Sequence, residues 1–375
     1  MERRSVSAPG HLLDRSETVW TLQLPQIRFG RHAIDELVHQ LHELDVDSPA
    51  NALLVTDETI AGHGHADRVA EVLLDAGHDV DIYRGVRREP SIESIEDCMS
   101  FVDRATDGEG YDVYLGLGGG SCMDTAKTVR TIRANGGEII DYISQPTGDG
   151  RALERSGAPL VLLPTTAGTG AEISPVAIIE VPAEDTKEGI ASPYVRADAA
   201  VLDPTLSVTL PPRETAMSAM DALGQAIEGY TTHPFDSLLR PSDPSDRPVY
   251  AGRTPLTELC SEKAIRLLSG NIRRAVHNGD DLEARADMLL GALFGGIAAL
   301  TSGSTLCHAM SYPVANRWHT YHGETIAVLT PASTLGYNVG SDPRRFETVA
   351  SLLGIDTGGL DAGAIRDALK REYIQ

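Results

Sequence analysis

Residues 113–127 read VYLGLGGGSCMDTAK. The first five, Val113 to Leu117, have the composition of a buried strand. The chain then passes through Gly118, Gly119, Gly120 and Ser121, and from Met123 to Arg133 the pattern is helical. A strand that turns through glycines into a helix gathers backbone N–H groups and the positive end of the helix dipole at one point, which suits a diphosphate. The spacing is neither the GxGxxG of a Rossmann turn nor the GK[ST] of a P-loop. A tight, capped βα turn would read the same way. Lys127 tips the balance, because lysine otherwise occurs only at 187, 263 and 370. Lys127 and Lys187 are therefore expected beside a cofactor, and Lys263 and Lys370 on the surface.

Around this stretch strand and helix alternate. Strands are expected at 52–56, 80–83, 160–163 and 176–181, and helices at 66–76 and 91–105, which predicts a mostly parallel sheet covered on both faces. After residue 212 the strands stop, and 213–230, 256–277, 282–300, 306–316 and 325–336 read as helices. The segment 234–255, rich in Pro, Asp and Ser, reads as an irregular loop. The chain thus divides into a flexible tail (1–20), an α/β dinucleotide-binding domain (21–211) and an all-helical domain (212–375).

Length and charge narrow the function. With 375 residues, 54 acidic and 32 basic, the chain carries a formal charge of −22. Two domains fit that length. Nucleic acid and anionic membranes are poor partners for such a charge, and no run of 18 apolar residues predicts a membrane helix. An acidic, lysine-poor surface is expected of a halophilic protein, since salt screens its self-repulsion. Cys98, Cys122, Cys260 and Cys307 are scattered, which fits neither a disulfide scaffold nor a cysteine zinc site and points to a reducing cytoplasm. Residues 1–15 lack the apolar segment of a signal peptide, and Asp14 and Glu17 argue against a transit peptide.

Two further constellations carry chemistry. Residues 163–172, LPTTAGTGAE, offer hydroxyls and glycines after a strand, suited to a ribose or phosphate and equally to a polar turn. In the helical region Asp221 and Gln225 lie four apart and share a face, while His308 and His322 stand on later segments. One Asp and two His from separate segments can surround a divalent cation and leave positions open for a substrate. Each of these residues alone would read as a satisfied core polar group.

The order GGGSCMDTAK, PTTAGTGAE, DALGQAIEGYTT, LCHAMSYP, HGETIAVLTP resembles the iron-containing alcohol dehydrogenase family, from about Leu24 to Pro331. The insert SLLRPSDPSDRPVYAGRTPLTE and the phrase CHAMSYP resemble its hydroxyacid–oxoacid transhydrogenase branch. The resemblance implies the fold shared with dehydroquinate synthase, with an active cleft between the two domains. It implies NAD, less so NADP, at Gly118, Gly119, Gly120, Ser121, Asp124, Thr165, Thr166, Thr169 and Lys187. Asp57, at the end of the first strand of the nucleotide domain, would hold the adenosine ribose. Fe2+ or Zn2+ would be bound by Asp221, Gln225, His308 and His322, with His322 and Tyr312 catalytic. Arg253 and Arg317 are candidates to meet an anionic substrate. The implied activity is hydride transfer between the nicotinamide and an alcohol, hydroxyacid, aldehyde or oxoacid, in a homodimer or higher oligomer.

The sequence departs from the family twice. Gln225 stands where the family has His, and a neutral amide is a weaker ligand than imidazole, so weak metal binding is expected. Only 44 residues follow Pro331, which suggests that part of the helical domain is missing or replaced. The rival expectations are a plain NAD-dependent alcohol dehydrogenase that releases its cofactor, a lyase like dehydroquinate synthase, and a metal-independent or decayed family member.

Overall fold

The computed structural model describes residues 15–184 and 186–374. The first domain is built on six parallel strands: β1 (Gln26–Phe29), β2 (Asn51–Val55), β3 (Asp79–Tyr83), β4 (Val113–Gly118), β5 (Leu160–Pro164) and β8 (Ala199–Leu202). Their order is β1-β8-β5-β4-β2-β3. β4 lies at the centre and all six of its residues are buried, as a strand covered on both faces requires. Helices α1 (Leu37–His42), α2 (Glu58–Gly62), α3 (His65–Asp75), α4 (Ile92–Ala105), α5 (Gly120–Asn135) and α6 (Ile139–Tyr142) join the strands. Two apolar clusters, one holding Leu53, Tyr114 and Leu162 and the other Leu54, Leu115 and Val161, fill the two faces.

The strand expected at 176–181 forms as β6 (Val176–Val181) but does not join this sheet. It pairs antiparallel with β7 (Thr186–Ala191) in a separate two-stranded unit. The connection between them is only a few residues long, which permits a hairpin and not a parallel crossover. The edge strand β1 and its neighbour β8, four residues each, had no clear sequence signal.

From Pro212 the chain is helical. Helices α7 (Pro212–Thr231), α8 (Pro255–His277) and α9 (Leu282–Ser302) pack together, followed by α10 (Leu306–Trp318), α11 (His322–Leu329), α12 (Pro343–Leu352) and α13 (Ala362–Ile374). The helix expected over 325–336 is cut short. α11 ends before Pro331, which has no N–H to continue the ladder, and a π-helical turn follows at Ser333–Tyr337. Leu369 of α13 is fully buried and Ile365 nearly so, each contributing about 1.5–3 kcal/mol of apolar burial. By length and composition α9 could cross a membrane, contrary to the sequence expectation, yet 67% of its apolar window is buried inside the fold.

The expected tail needs a second correction. Residues 1–14 lie outside the described residues. Residues 15–20 are docked rather than flexible: Glu17 is 5% exposed and accepts from Arg247 Nε at 2.9 Å, and Arg240 N donates to the Arg15 carbonyl at 2.8 Å. They thereby pin the irregular segment 234–255. The far end of that segment is tied to the end of α9 by Ala251 N to Thr301 O at 3.0 Å and Gly252 N to Ser302 O at 3.2 Å.

Candidate active site

A cavity of about 220 Å3 lies between the two domains, walled by α5, the 165–174 loop and the β6–β7 hairpin on one side and by α7, α9, α10 and α11 on the other. The glycine turn approaches from the sheet. Gly118 has φ +147°, and a Cβ there would lie 2.6 Å from Cys122 Sγ, so only glycine lets β4 feed α5 in this way. Gly119 is the N-cap of α5 and carries no side-chain cap, which leaves the helix terminus suited to an anion. Thr166 and Thr169 pack beside Gly119 and Gly120. Thr165 Oγ1 is buried without a hydrogen-bond partner among the described residues.

Several expected cofactor residues are otherwise engaged. Lys127 does not face a phosphate: it is fully buried and donates to Asp124 Oδ1 at 3.1 Å and to the Val176 carbonyl at 2.9 Å. Asp124 spends its other oxygen on Ile178 N at 3.1 Å, so its carboxylate ties the hairpin to α5 while its side chain still lines the cavity. The Ser121 hydroxyl donates to the Arg88 carbonyl. Asp57 follows β2, the second strand in chain order, and caps α2 by accepting from Ile60 N at 2.9 Å. Lys187, on β7, does line the cavity and stands 2.8 Å from Glu89.

The metal-type residues converge. Ligand atoms of Asp221, His308 and His322 all lie within 4.8 Å of one another. Asp221 Oδ1 is 3.4 Å from His308 Nε2 and 3.5 Å from His322 Nε2. His308 Nε2 is buried and has no hydrogen-bond partner among the described residues. One carboxylate oxygen and two imidazole nitrogens, one of them an orphan, fit a divalent cation of the Fe2+ or Zn2+ type. Gln225 is a correction: its amide nitrogen, 3.4 Å from Asp221 Oδ1 and 3.3 Å from the Thr169 carbonyl, faces the Asp. An N–H cannot ligate a cation, so as placed Gln225 braces Asp221.

Electrostatics follow from burial and proximity. Burial alone would raise the Asp221 carboxyl, but His322 and His308 hold it below its ordinary value. Burial likewise opposes a proton on His308, yet the neighbouring carboxylates of Asp221 and Glu228 push it up to about 10. That proton is what a cation at Nε2 would replace. His322 is lowered by burial, and Lys187 adds to the effect. Tyr312 stacks on His322, with ring centroids 5.9 Å apart at 24°, and burial raises its hydroxyl, which stays protonated.

Arg253 and Arg317 do not reach the cavity. Arg253 pairs with Glu258 at 3.1 Å, and Arg317 is exposed near the end of α10. The cations that do line it, Lys187 and Arg88, come from the other domain. Sequence reading also missed Tyr250, which the 234–255 segment sets against Gly303 and into the cavity wall. It missed Glu228 as well, a fully buried carboxylate against His308. Glu228 lies seven residues after Asp221, so helical spacing could have placed both on one face.

A glycine turn at a helix start, facing an Asp–His–His cluster across an interdomain cleft, defines a metal-type nicotinamide oxidoreductase. Comparison with known proteins agrees. Residues 25–204 match the family described as iron-containing alcohol dehydrogenase, and 249–372 match the C-terminal domain of the Fe-containing alcohol dehydrogenase family. The chain is 34% identical over 330 residues to long-chain-alcohol dehydrogenase 1 of Geobacillus thermodenitrificans, covering 88% of this chain and 76% of the relative. It is 30% identical over 357 residues to the mitochondrial hydroxyacid-oxoacid transhydrogenase of Xenopus tropicalis, covering 91% and 75%. Among solved structures, a 1,3-propanediol oxidoreductase superposes with TM-score 0.82 at 27% identity, covering 95% of this chain and 85% of that one. Sulfoacetaldehyde reductase from Bifidobacterium kashiwanohense in complex with NAD+ superposes with TM-score 0.79 at 25% identity, covering 96% and 86%. The chain belongs to the iron-containing alcohol dehydrogenase family and is an NAD-linked oxidoreductase of alcohols or hydroxyacids.

Proposed function

We propose that the protein oxidises a short hydroxyacid and returns the hydride to an oxoacid, as a hydroxyacid–oxoacid transhydrogenase that retains its NAD. The observation that carries this reading is the pair of cations on the cavity wall, Lys187 and Arg88, with Lys187 close enough to His322 to lower it. A substrate carboxylate can take the place of Glu89 on Lys187. That exchange restores the ion pair while the hydroxyl points at the Asp221–His308–His322 cluster.

Bound there, the nicotinamide supplies hydride chemistry and a divalent cation, Fe2+ or Zn2+, supplies Lewis acidity toward the substrate oxygen. The chain's residues do the rest. Asp221, His308 and His322 hold the cation. Tyr312, kept protonated by burial, can donate a hydrogen bond to the substrate. Tyr250 and Leu300 narrow the cavity and exclude water. The start of α5 receives the diphosphate, and Asp57 accepts from a ribose hydroxyl and repels a 2′-phosphate, which favours NAD over NADP. The proposal includes a homo-oligomer in a reducing, salt-rich cytoplasm. Supporting that setting are four buried free cysteines and the charge of −22.

The test is turnover of a hydroxyacid with an oxoacid by protein freed of loose nucleotide by gel filtration, with no NAD added. Sustained turnover supports retention. NADH accumulating from a simple alcohol, with no need for an oxoacid, supports the second reading of a plain alcohol dehydrogenase, which the 34% identity to a long-chain-alcohol dehydrogenase favours.

A further inference from the structure

We infer that Glu228 is the positioning residue that makes His308 a metal ligand, by fixing which of its ring nitrogens faces the cleft. The inference rests on the divalent-cation reading of the site. Glu228 sits in the last turn of α7 with no exposed surface, and both of its oxygens are saturated by donors. Oε1 accepts from Thr305 Oγ1 at 2.5 Å, Cys307 N at 2.8 Å and Thr334 Oγ1 at 3.0 Å. Oε2 accepts from Thr305 N at 3.1 Å and meets His308 Nδ1 at 2.5 Å.

Two consequences follow from that geometry. By accepting from the N–H groups of Thr305 and Cys307, Glu228 acts as a tertiary cap on the start of α10, whose own N-cap Thr305 makes no side-chain cap. It thereby sets where His308 begins its reach. By accepting from Nδ1, it keeps that nitrogen protonated, so a neutral His308 presents the lone pair of Nε2 to Asp221 and the cleft. A carboxylate behind a ligand histidine holds both the ring's orientation and its tautomer.

The five donors make glutamine a sharp probe. In Glu228→Gln the amide nitrogen must face one backbone N–H, Cys307 at the Oε1 place or Thr305 at the Oε2 place; the two threonine hydroxyls that also donate at Oε1 favour the oxygen there, so the nitrogen falls at Oε2. There it donates toward His308 Nδ1. The imidazole must then carry its proton on Nε2, the atom a cation would need, or turn away.

The experiment titrates Co2+ into the metal-free full chain, reading the visible d–d absorption of bound cobalt and the dissociation constant. Glu228→Gln is expected to weaken Co2+ binding roughly 10–100-fold. Thr334→Val removes one bond to the same carboxylate without touching His308, and should lower the melting temperature while leaving the Co2+ affinity within about twofold. Equal affinity in Glu228→Gln and the unaltered protein overturns the inference. So does a loss in Thr334→Val as large as that in Glu228→Gln, which would mark a merely structural role. Because Glu228→Gln can impair folding, a second measurement uses the unaltered protein: with Zn2+ bound and histidines labelled with 15N, His308 should show a protonated Nδ1 and a metal-shifted Nε2. Coordination through Nδ1 overturns the inference. If the unaltered protein binds neither Co2+ nor Zn2+, the cation reading itself fails and takes this inference with it.

Discussion

Lys187 on β7 and Glu89, from the loop before α4, meet at 2.8 Å on the wall of the cavity that holds His322. The lysine side chain is 9% exposed and the glutamate 37%. The more buried partner is thus a cation whose present counter-ion can swing out to water. Lys187→Ala should raise the KM of a hydroxyacid roughly tenfold or more, the worth of a charged hydrogen bond, with a smaller effect on an uncharged alcohol. Glu89→Gln should lower the hydroxyacid KM. Steady-state kinetics on matched charged and uncharged substrates decide it, and equal effects on both would assign Lys187 to the cofactor instead.

Gln225 turns its amide nitrogen to Asp221, and its oxygen is buried without a partner among the described residues. Gln225→His exchanges this brace for an imidazole on the same helical face. Metal affinity should rise about tenfold or more, measured as bound metal per chain after dialysis. An unchanged metal content would mean that the three-residue cluster is already sufficient.

Tyr250 comes from the 234–255 segment and packs against Gly303 at the cavity wall. Tyr250→Ala should open this end and shift the ratio of kcat/KM toward longer alcohols by about tenfold. A chain-length series of primary alcohols gives the answer. A uniform fall at every length would deny it a role in specificity.

Lys127 pairs with Asp124 inside the protein, with no exposed surface. Lys127→Ala leaves that carboxylate buried and uncompensated, at a cost of about 3–5 kcal/mol. The melting temperature should drop by several degrees. A nucleotide affinity lost with no change in melting would restore the phosphate role that the sequence suggested.

Glu172 is buried, and desolvation raises its carboxyl from 4.5 to about 7. A carboxyl whose folded value lies above its unfolded one holds its proton more tightly when folded. Its contribution is therefore present at pH 4 and is lost as pH rises to 7. That rise of the carboxyl amounts to about 3 kcal/mol. Glu172→Gln should match the unaltered protein in stability near pH 4 and exceed it near pH 8, read by chemical denaturation at both. A variant less stable at pH 8 would show that the ionised carboxylate has a partner worth more than its desolvation.

Much of this protein could be read along the chain. The turn at Gly118 is written in one run of glycines between a strand and a helix, because local backbone freedom alone decides it. The separation of a parallel sheet from a helical half follows from hydrophobic period, and Asp221, His308 and His322 stood out because few residue types can hold a cation. The side chains of α5 were harder to assign. Its residues from Cys122 to Ile132 are buried all round, so no polar face told which way Lys127 points. The packing of β6 against that helix decided it.

The roles of Glu228 and Tyr250, the partner of Lys187 and the orientation of Gln225 were settled only by tertiary structure. Each owes its place to a partner distant in sequence: Thr305 and Thr334 for Glu228, Glu89 for Lys187, Gly303 for Tyr250, the Thr169 carbonyl for Gln225. A helical period shows which residues share a face but not what that face meets. A buried carboxylate or amide takes its role from whichever donors or acceptors the fold brings within about 3 Å of it, since an unpaired polar group away from water costs more than a satisfied one returns.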